Sequence, residues 1–474
     1  MAGAAGARSL NVLAGASVGI DLGTSNTVVA AVESGRAHAL VDDVSRQVLV
    51  PSVCAFHPSG TVLVGTEAKR RRLQDPKNTI FSAKRLIGRA WTSREVAQAR
   101  ARLPYELREG KNSSVVIRAR DADYTLPEVS AFVLRKAKAI AEASLGRKVD
   151  RAVITCPANF DDLQRAATKL AGQLAGIDVL RVLNEPTAAA LAYGYGREGQ
   201  ERILVYDFGG GTFDVTLLER SGDLFEVKAT GGDMYLGGDD VDAAVAVRIA
   251  EGFAAKHFYD PRADRDVFEH VRDAAEELKV RLSTEEQATI TLEDVAFGPG
   301  GKSLRFDYTM SRAELGALAD PLIDRTLRVC RRTLERAAID LRAIDQVILV
   351  GGTTLIPRVR ERVTELFAQS RTKIADGVSP FEVVAVGAAI QAYAMTEGEV
   401  SEEGARALAA LKASRSGSIP PPAAIPPASV PAPIPAPAPI PVPVPDPAAS
   451  RRIPLSLVAA ALAVALLIAW LTVR

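Results

Sequence analysis

Cysteine is scarce. Cys54, Cys156 and Cys330 are the only three in 474 residues, far apart and each in a mostly apolar stretch. No CxxC pair exists, which argues against a thiol metal or redox centre and for core packing. The odd count also fits a reducing compartment. The four histidines, His38, His57, His257 and His270, show no metal-ligand spacing and read as structural or surface residues. Charge of one sign is lacking too: 58 basic against 57 acidic residues leave a formal net charge of +1, so no nucleic-acid partner is expected. The N-terminus has no long apolar run. Residues 1–17 are Ala/Gly-rich with one Arg, short of what a signal peptide requires, and read as a disordered leader without secretion.

What is present is an ordinary globular balance, 47% apolar and 24% charged, over a length that can hold two or three packed domains. Residues 18–396 alternate β-rich runs with helical patterns, the sign of an α/β fold. Residues 397–419 are charged and Ala-rich, a linker with the composition of a short helix. Residues 420–450 are proline-rich. Proline removes backbone donors and favours polyproline II, so this tract reads as a semi-rigid spacer reaching on the order of 90 Å at about 3.1 Å per residue. A ligand for a proline-recognition domain is the lesser reading. Residues 453–473 are apolar apart from Ser456 and Thr472, preceded by Arg451 and Arg452 and carrying Trp470 near the far end. That length suits a bilayer, so we expect a single-pass C-terminal transmembrane helix, with the large domain on the cytoplasmic side.

The large zone contains an internal echo. Val18 to Ser25 reads as strand, acid, glycine turn, and Leu204 to Thr212 reads the same way; each is followed by another β-rich run, Thr27 to Val32 and Phe213 to Glu219. Two such hairpins suggest a duplicated domain of two lobes with a ligand between the glycine turns. Gly23 lets the backbone approach a ligand, and successive amides in such a turn point at phosphate oxygens. Thr24, Ser25 and Asn26 add side-chain donors. Asp21, at the strand end, is placed to hold a hydrated magnesium ion. Gly209, Gly210, Gly211 and Thr212 offer a second cradle and Asp207 a second carboxylate.

These strings resemble the two phosphate motifs of the seventy-kilodalton heat-shock chaperone family. Asn78 to Arg89 is similar to the segment carrying that family's catalytic lysine, here Lys84. Ala152 to Ala158 resembles its switch-proline segment, here Pro157. Asn184 to Ala190 resembles the motif with its catalytic glutamate, here Glu185. Leu236-Gly237-Gly238-Asp239-Asp240 and Leu349 to Thr354, with Gly351, Gly352 and Thr353, resemble its ribose and adenosine loops. Glu276, Lys279 and Ser283 match its adenosine-contacting helix. The resemblance runs from about Val18 to Met395 and implies a two-lobed actin-like ATPase fold of duplicated ribonuclease-H-like lobes. It implies ATP and ADP as ligands with magnesium, and hydrolysis of ATP. Asp21 and Asp207 would position the metal, Lys84 would stabilise charge on the γ-phosphate, Glu185 would orient the attacking water, and Thr212 would bond the water or the phosphate. A J-domain co-chaperone and a nucleotide-exchange factor are the partners it implies.

The sequence also departs from the family. Leu355 stands where an Arg is usual, and Phe381 where an acid is usual. After Met395 we expect neither the family's linker nor its client-binding sandwich and lid. The expected function is a membrane-tethered nucleotide-dependent switch in protein folding or quality control. An actin-like membrane scaffold and a small-molecule kinase of the same fold are the alternatives. Lys69-Arg70-Arg71-Arg72 reads as a solvated helix face. Gly301-Lys302-Ser303 reads as a β-turn, given the alternation of Leu304, Phe306 and Tyr308 after it.

Overall fold

A computed structural model describes residues 16–396, except residues 196, 223, 294, 298–300 and 376–378 and the side chains of residues 265 and 266. Most of the expected leader, and the whole of the linker, spacer and transmembrane helix, lie outside the described residues. Among the described residues no helix is long and apolar enough to cross a membrane.

The fold is mixed α/β, and both expected hairpins form. Ala16–Leu22 pairs antiparallel with Asn26–Glu33, and Gln200–Phe208 with Phe213–Ser221. Each hairpin is the centre of a sheet built in the same order. In the first, Asp178–Asn184 and Val149–Cys156 lie parallel beside Ala16–Leu22, and Arg36–Ala39 lies antiparallel beyond Asn26–Glu33, which also pairs with Val50–Pro51. In the second, Lys373–Ile374 and Gln346–Val350 lie parallel beside Gln200–Phe208, and Leu224–Asp233 lies antiparallel beyond Phe213–Ser221. The central strands are buried on both faces, which is why their sequences read as near-continuous apolar runs.

Helices start where side chains can satisfy their orphan amides. Thr125 with Glu128, Asp161 with Gln164 and Ser311 with Glu314 form capping boxes at Leu126–Leu145, Asp162–Leu174 and Arg312–Arg336. Gly146, in the left-handed region at φ 62°, ends the first of these. The last strand of each sheet is followed by a helix, Glu185–Gly194 after Asp178–Asn184 and Val383–Thr396 after the short Lys373–Ile374. These two helices pack on each other, Gly387 against the Ala188 carbonyl, while Ala385, Ala388 and Ala389 lie against Gly19 of the first sheet; the helix residues named are all buried. The three cysteines are free and buried, as their apolar surroundings imply. Gly301, at φ 74°, lies between the bridged residues Phe297 and Ser303, and strand Phe306–Ser311 follows; the turn expected there borders residues outside the described ones.

The helix seam is closely packed, backbone against backbone. A Cβ at Gly387 would lie 1.7 Å from the Ala188 carbonyl oxygen, and one at Gly19 would lie 2.0 Å from the Ala389 amide nitrogen. Both neighbours are backbone and cannot rotate away. Gly387→Ala should therefore destabilise the domain by about 1–3 kcal/mol or more, read as a lower denaturant midpoint with unchanged slope. An unshifted midpoint would mean that the helices can separate without cost.

Candidate functional site

Each central strand ends in an acid and a tight turn. Asp21 lies near the end of Ala16–Leu22, and Asp207 near the end of Gln200–Phe208. The first turn is tied from behind: the Ser52 hydroxyl donates to Gly23 O at 2.8 Å and the Ser52 amide to Ser25 O at 2.8 Å. A Cβ at Gly23 would lie 2.1 Å from Asn26 O, so only glycine closes it. In the second turn the Gly209 amide donates to Thr212 O at 3.1 Å. The two turns meet: a Cβ at Gly210 would lie 2.2 Å from Ser25 Oγ. The lobes therefore bring Gly23, Thr24, Ser25 and Asn26 to Gly209, Gly210, Gly211 and Thr212, as the echo in the sequence implies.

Beneath the turns is a buried charged centre. Ser82, left-handed at φ 56°, turns the chain into the short helix Ala83–Arg85 and aims Lys84 inward. Lys84 donates to Glu185 Oε1, at the start of Glu185–Gly194, and both side chains are about a tenth exposed. Thr155 Oγ1 donates to Asp21 Oδ1 at 2.9 Å. Burial, reinforced by the Glu185 charge, pushes Asp21 up to about 7 despite Lys84 and Thr155. Burial and then Glu185 also raise Asp207, with Asp214 and Asp21 adding to the effect. Asp214 rises to about 7 for the same first two reasons, although Lys84 and the Thr212 hydroxyl oppose it. Burial alone would lower Lys84, but Glu185 and Asp21 outweigh it and hold the ammonium above its usual value. One ammonium thus faces four carboxyl groups. Among the described residues no group of three or more side chains forms a complete metal cage. Two strand-end carboxylates under cation-poor conditions, next to amide-lined turns, fit a magnesium ion that keeps most of its waters and binds phosphate.

The remaining loops close over the second turn. The Gly238 amide donates to Gly209 O and the Asp239 amide to Gly210 O. Thr353 Oγ1 donates to Gly209 O at 2.9 Å. A Cβ at Gly237 would strike Gly210 O, and one at Gly238 would lie 2.7 Å from Thr353 Oγ1 and 3.1 Å from Lys279 Nζ. Gly351, at φ 85°, sits against Phe208 O, and Gly352 against the Phe381 ring. So Gly237, Gly238, Asp239, Lys279, Gly351, Gly352 and Thr353 converge. Several of the expected residues are occupied otherwise, and Lys279 donates to Asp242 Oδ2 at 2.8 Å. Ser283 Oγ donates to Lys279 O within its own helical turn, and Lys69 donates to both carboxylate oxygens of Glu276 at 2.8 Å.

The Lys69 contact corrects the reading of Lys69 to Arg72 as a solvated face. Lys69 and Arg72 reach across to Glu276 and Glu269 on helix Arg265–Leu282, with Arg72 at 2.8 Å. A basic run cannot show which carboxylates a distant helix will present. Four participants carried no role in the sequence reading. Asp214 and Thr155 sit inside recognisable strings but were given no function. Arg85 follows Lys84, lies against Gly211 and donates to Met234 O and Asp239 Oδ2. Arg165 donates to Asn184 Oδ1 at 2.7 Å and to the carbonyls of Ala158 and Phe160, tying the Pro157 segment to the residue before Glu185.

The raised carboxyls have a consequence for stability. Asp21 binds its proton more tightly folded than unfolded, so across pH 4–7 the folded state holds more protons and stability falls as pH rises. Without nucleotide or metal, the domain should melt at a lower temperature at pH 8 than at pH 6. Asp21→Asn should remove part of that slope, and an identical slope would contradict the charge crowding.

The comparisons agree with this geometry. The family model for Hsp70 protein matches residues 17–404, which takes in both sheets and every residue of the cleft. The chain is 44% identical over 386 residues to the chaperone protein DnaK of Thermus thermophilus. That stretch is 81% of this chain and 62% of the relative, so the chain spans a little under two thirds of the protein it matches. On the extent of the family match and on that identity, the chain belongs to the Hsp70 family.

Proposed function

We propose that the domain binds magnesium-complexed ATP between its lobes, hydrolyses it, and serves as a nucleotide-dependent switch in protein folding or quality control. The observation that carries this reading is the buried Lys84–Glu185 pair among Asp21, Asp207 and Asp214, directly under two apposed glycine turns.

Asp21 and Asp207 would hold the magnesium ion, chiefly through its waters, and the ion would neutralise phosphate charge. The amides of Thr24, Ser25 and Asn26 and of Gly210, Gly211 and Thr212 cradle the phosphates from opposite sides. Lys84 stabilises negative charge on the γ-phosphate, and Glu185, fixed by its pair with Lys84, orients the attacking water. Asp207, ionised once the metal is bound, would accept the proton that this water loses. Thr212 bonds the water or the phosphate. Gly237 to Asp239, Gly351 to Thr353, Glu276, Lys279 and Ser283 enclose the nucleoside. The Lys69–Glu276 and Arg72–Glu269 pairs close the cleft and must part for exchange. The partners proposed are a J-domain co-chaperone and a nucleotide-exchange factor. Residues 453–473 would anchor the protein as a single-pass helix, with the domain on the cytoplasmic side, supported by their apolar length and the arginines before them.

Lys84→Ala should slow single-turnover ATP hydrolysis roughly 10²-fold or more while nucleotide still binds. Melting curves with and without nucleotide separate that from misfolding, because the change leaves Glu185 buried and unpaired. Normal hydrolysis by a folded variant would remove Lys84 from the mechanism. For the anchor, alkaline carbonate should leave the full-length protein in the membrane pellet; release into the supernatant would contradict a spanning helix.

A further inference from the structure

We propose that residues 405–411, in the segment that follows the described domain, dock on the outer face of helix Asp162–Leu174. That helix packs against the first sheet through Ala171 and Gly172, which are buried. On its exposed side a leucine stripe runs beside the polar residues Asp162, Lys169 and Gln173. Leu163, Leu170 and Leu174 are 71%, 45% and 39% exposed, with Ala167 partly covered between them. Positions 163, 167, 170 and 174 follow the four-three spacing of a seam made for another helix. Exposed leucines clustered in this way mark a binding surface more often than singly scattered ones.

The chain itself supplies the occupant. The described domain ends at Thr396, whose hydroxyl bonds Ser17 at 2.8 Å. Ser17 pairs with Arg151, and Arg151 with Asp178 on the edge strand, only four residues past Leu174. The chain therefore leaves the domain at the same end of the sheet as the Leu174 end of the helix, about 10 Å away across two strand spacings. It leaves on the opposite face of that sheet, since helix Val383–Thr396 and helix Asp162–Leu174 pack on opposite sides of it. Passing around the sheet end adds about 20 Å, two layers of about 10 Å each. The nine steps from residue 396 to residue 405 reach about 30 Å when extended.

The pattern of the segment also fits. It reads Glu397, Glu399, Glu402 and Glu403, then Ala405, Leu408 and Leu411, then Lys412 and Arg415. Charges at the two ends of the stripe, the basic ones supplied by the neighbouring helix Leu126–Leu145, run in the complementary order. At the Leu174 end stand Arg135, which donates to Leu174 O at 2.7 Å, and Lys138, which donates to Gly176 O at 2.7 Å. At the Leu163 end stand Asp161 and Asp162, both exposed. A segment arriving from the Leu174 end and running antiparallel passes its acids by Arg135 and Lys138. It then lays Leu408 and Leu411 over the leucine stripe and brings Lys412 and Arg415 to Asp161 and Asp162. Docked in this way, it would seat the start of the proline-rich spacer on the helix that carries Arg165.

The test uses the full chain, and the native cysteines do not interfere because all three are buried. Leu170→Cys is combined in turn with Leu408→Cys and Leu411→Cys and treated with a short thiol crosslinker. The expected product is a crosslink within one chain, independent of protein concentration, for at least one pair. A crosslink only between chains would assign the stripe to a second copy and overturn the proposal; no crosslink would also overturn it. In parallel, trypsin should cut after Arg406 and Lys412 about tenfold faster in the Leu163→Glu, Leu170→Glu double variant than in the unchanged chain, because undocking exposes those bonds. Equal rates in two chains of equal melting temperature would contradict the docking.

Discussion

The structure depends on one buried ion pair and the company it keeps. Lys84 and Glu185 come from separate parts of the first lobe, and their pair sits with Asp21, Asp207 and Asp214 in a place from which water is largely excluded. A buried pair of this kind contributes little net stability, because desolvation offsets most of its attraction. Its effect here is arrangement. Glu185 raises Asp21, Asp207 and Asp214, and the opposing Lys84 ammonium does not outweigh burial and Glu185 together. The folded domain therefore carries stored electrostatic demand that a magnesium ion and a phosphate, cradled by the turns above, would relieve together.

The rest of the fold holds that centre in register. Two sheets of the same strand order put an acid and a glycine turn at matching positions, and the alanine-lined helix seam fixes the sheets against each other. The two helices of the seam also serve the site directly: Glu185 opens one of them, and the other packs backbone to backbone against Gly19, two residues before Asp21. A rotation of one lobe would be felt at this seam. Across the open side of the cleft the connection is of another kind. Lys69–Glu276 and Arg72–Glu269 are partly exposed ion pairs, cheap to break and sensitive to salt. A tight apolar seam on one side and exchangeable ion pairs on the other give a cleft that can open without unfolding.

Much of this was legible in the sequence. The strand–acid–glycine pattern announced Asp21 and Asp207 because turn chemistry and strand periodicity are local. The loops around Gly237 and Gly351 were found as long strings, and the structure brings them together. What the sequence did not show is what depends on approach between distant segments. Lys69 and Arg72 looked like a solvated face because their partners lie some two hundred residues away. Arg85 lies within a quoted string, but its place against Gly211 needs both lobes. Asp214 is the direct cross-strand partner of Asp207, so both side chains share one face of the hairpin, a register that a strand read by itself does not show. Leu163 and Leu170 are not distinguishable in the sequence, because an isolated leucine in a helix is expected to be inside, and only the packed sheet shows which face remains outside.

The central claim is that the centre is short of positive charge until metal and nucleotide arrive together. Calorimetric binding of magnesium–ADP at pH 7, repeated in buffers of different ionisation enthalpy, reads this directly. If carboxyls raised to about 7 must ionise as the ligand binds, protons are released to the buffer. The account predicts net proton release that shrinks at pH 8.5 and disappears with the metal removed. Binding of equal strength with and without magnesium, and with no proton released in any buffer, would contradict it.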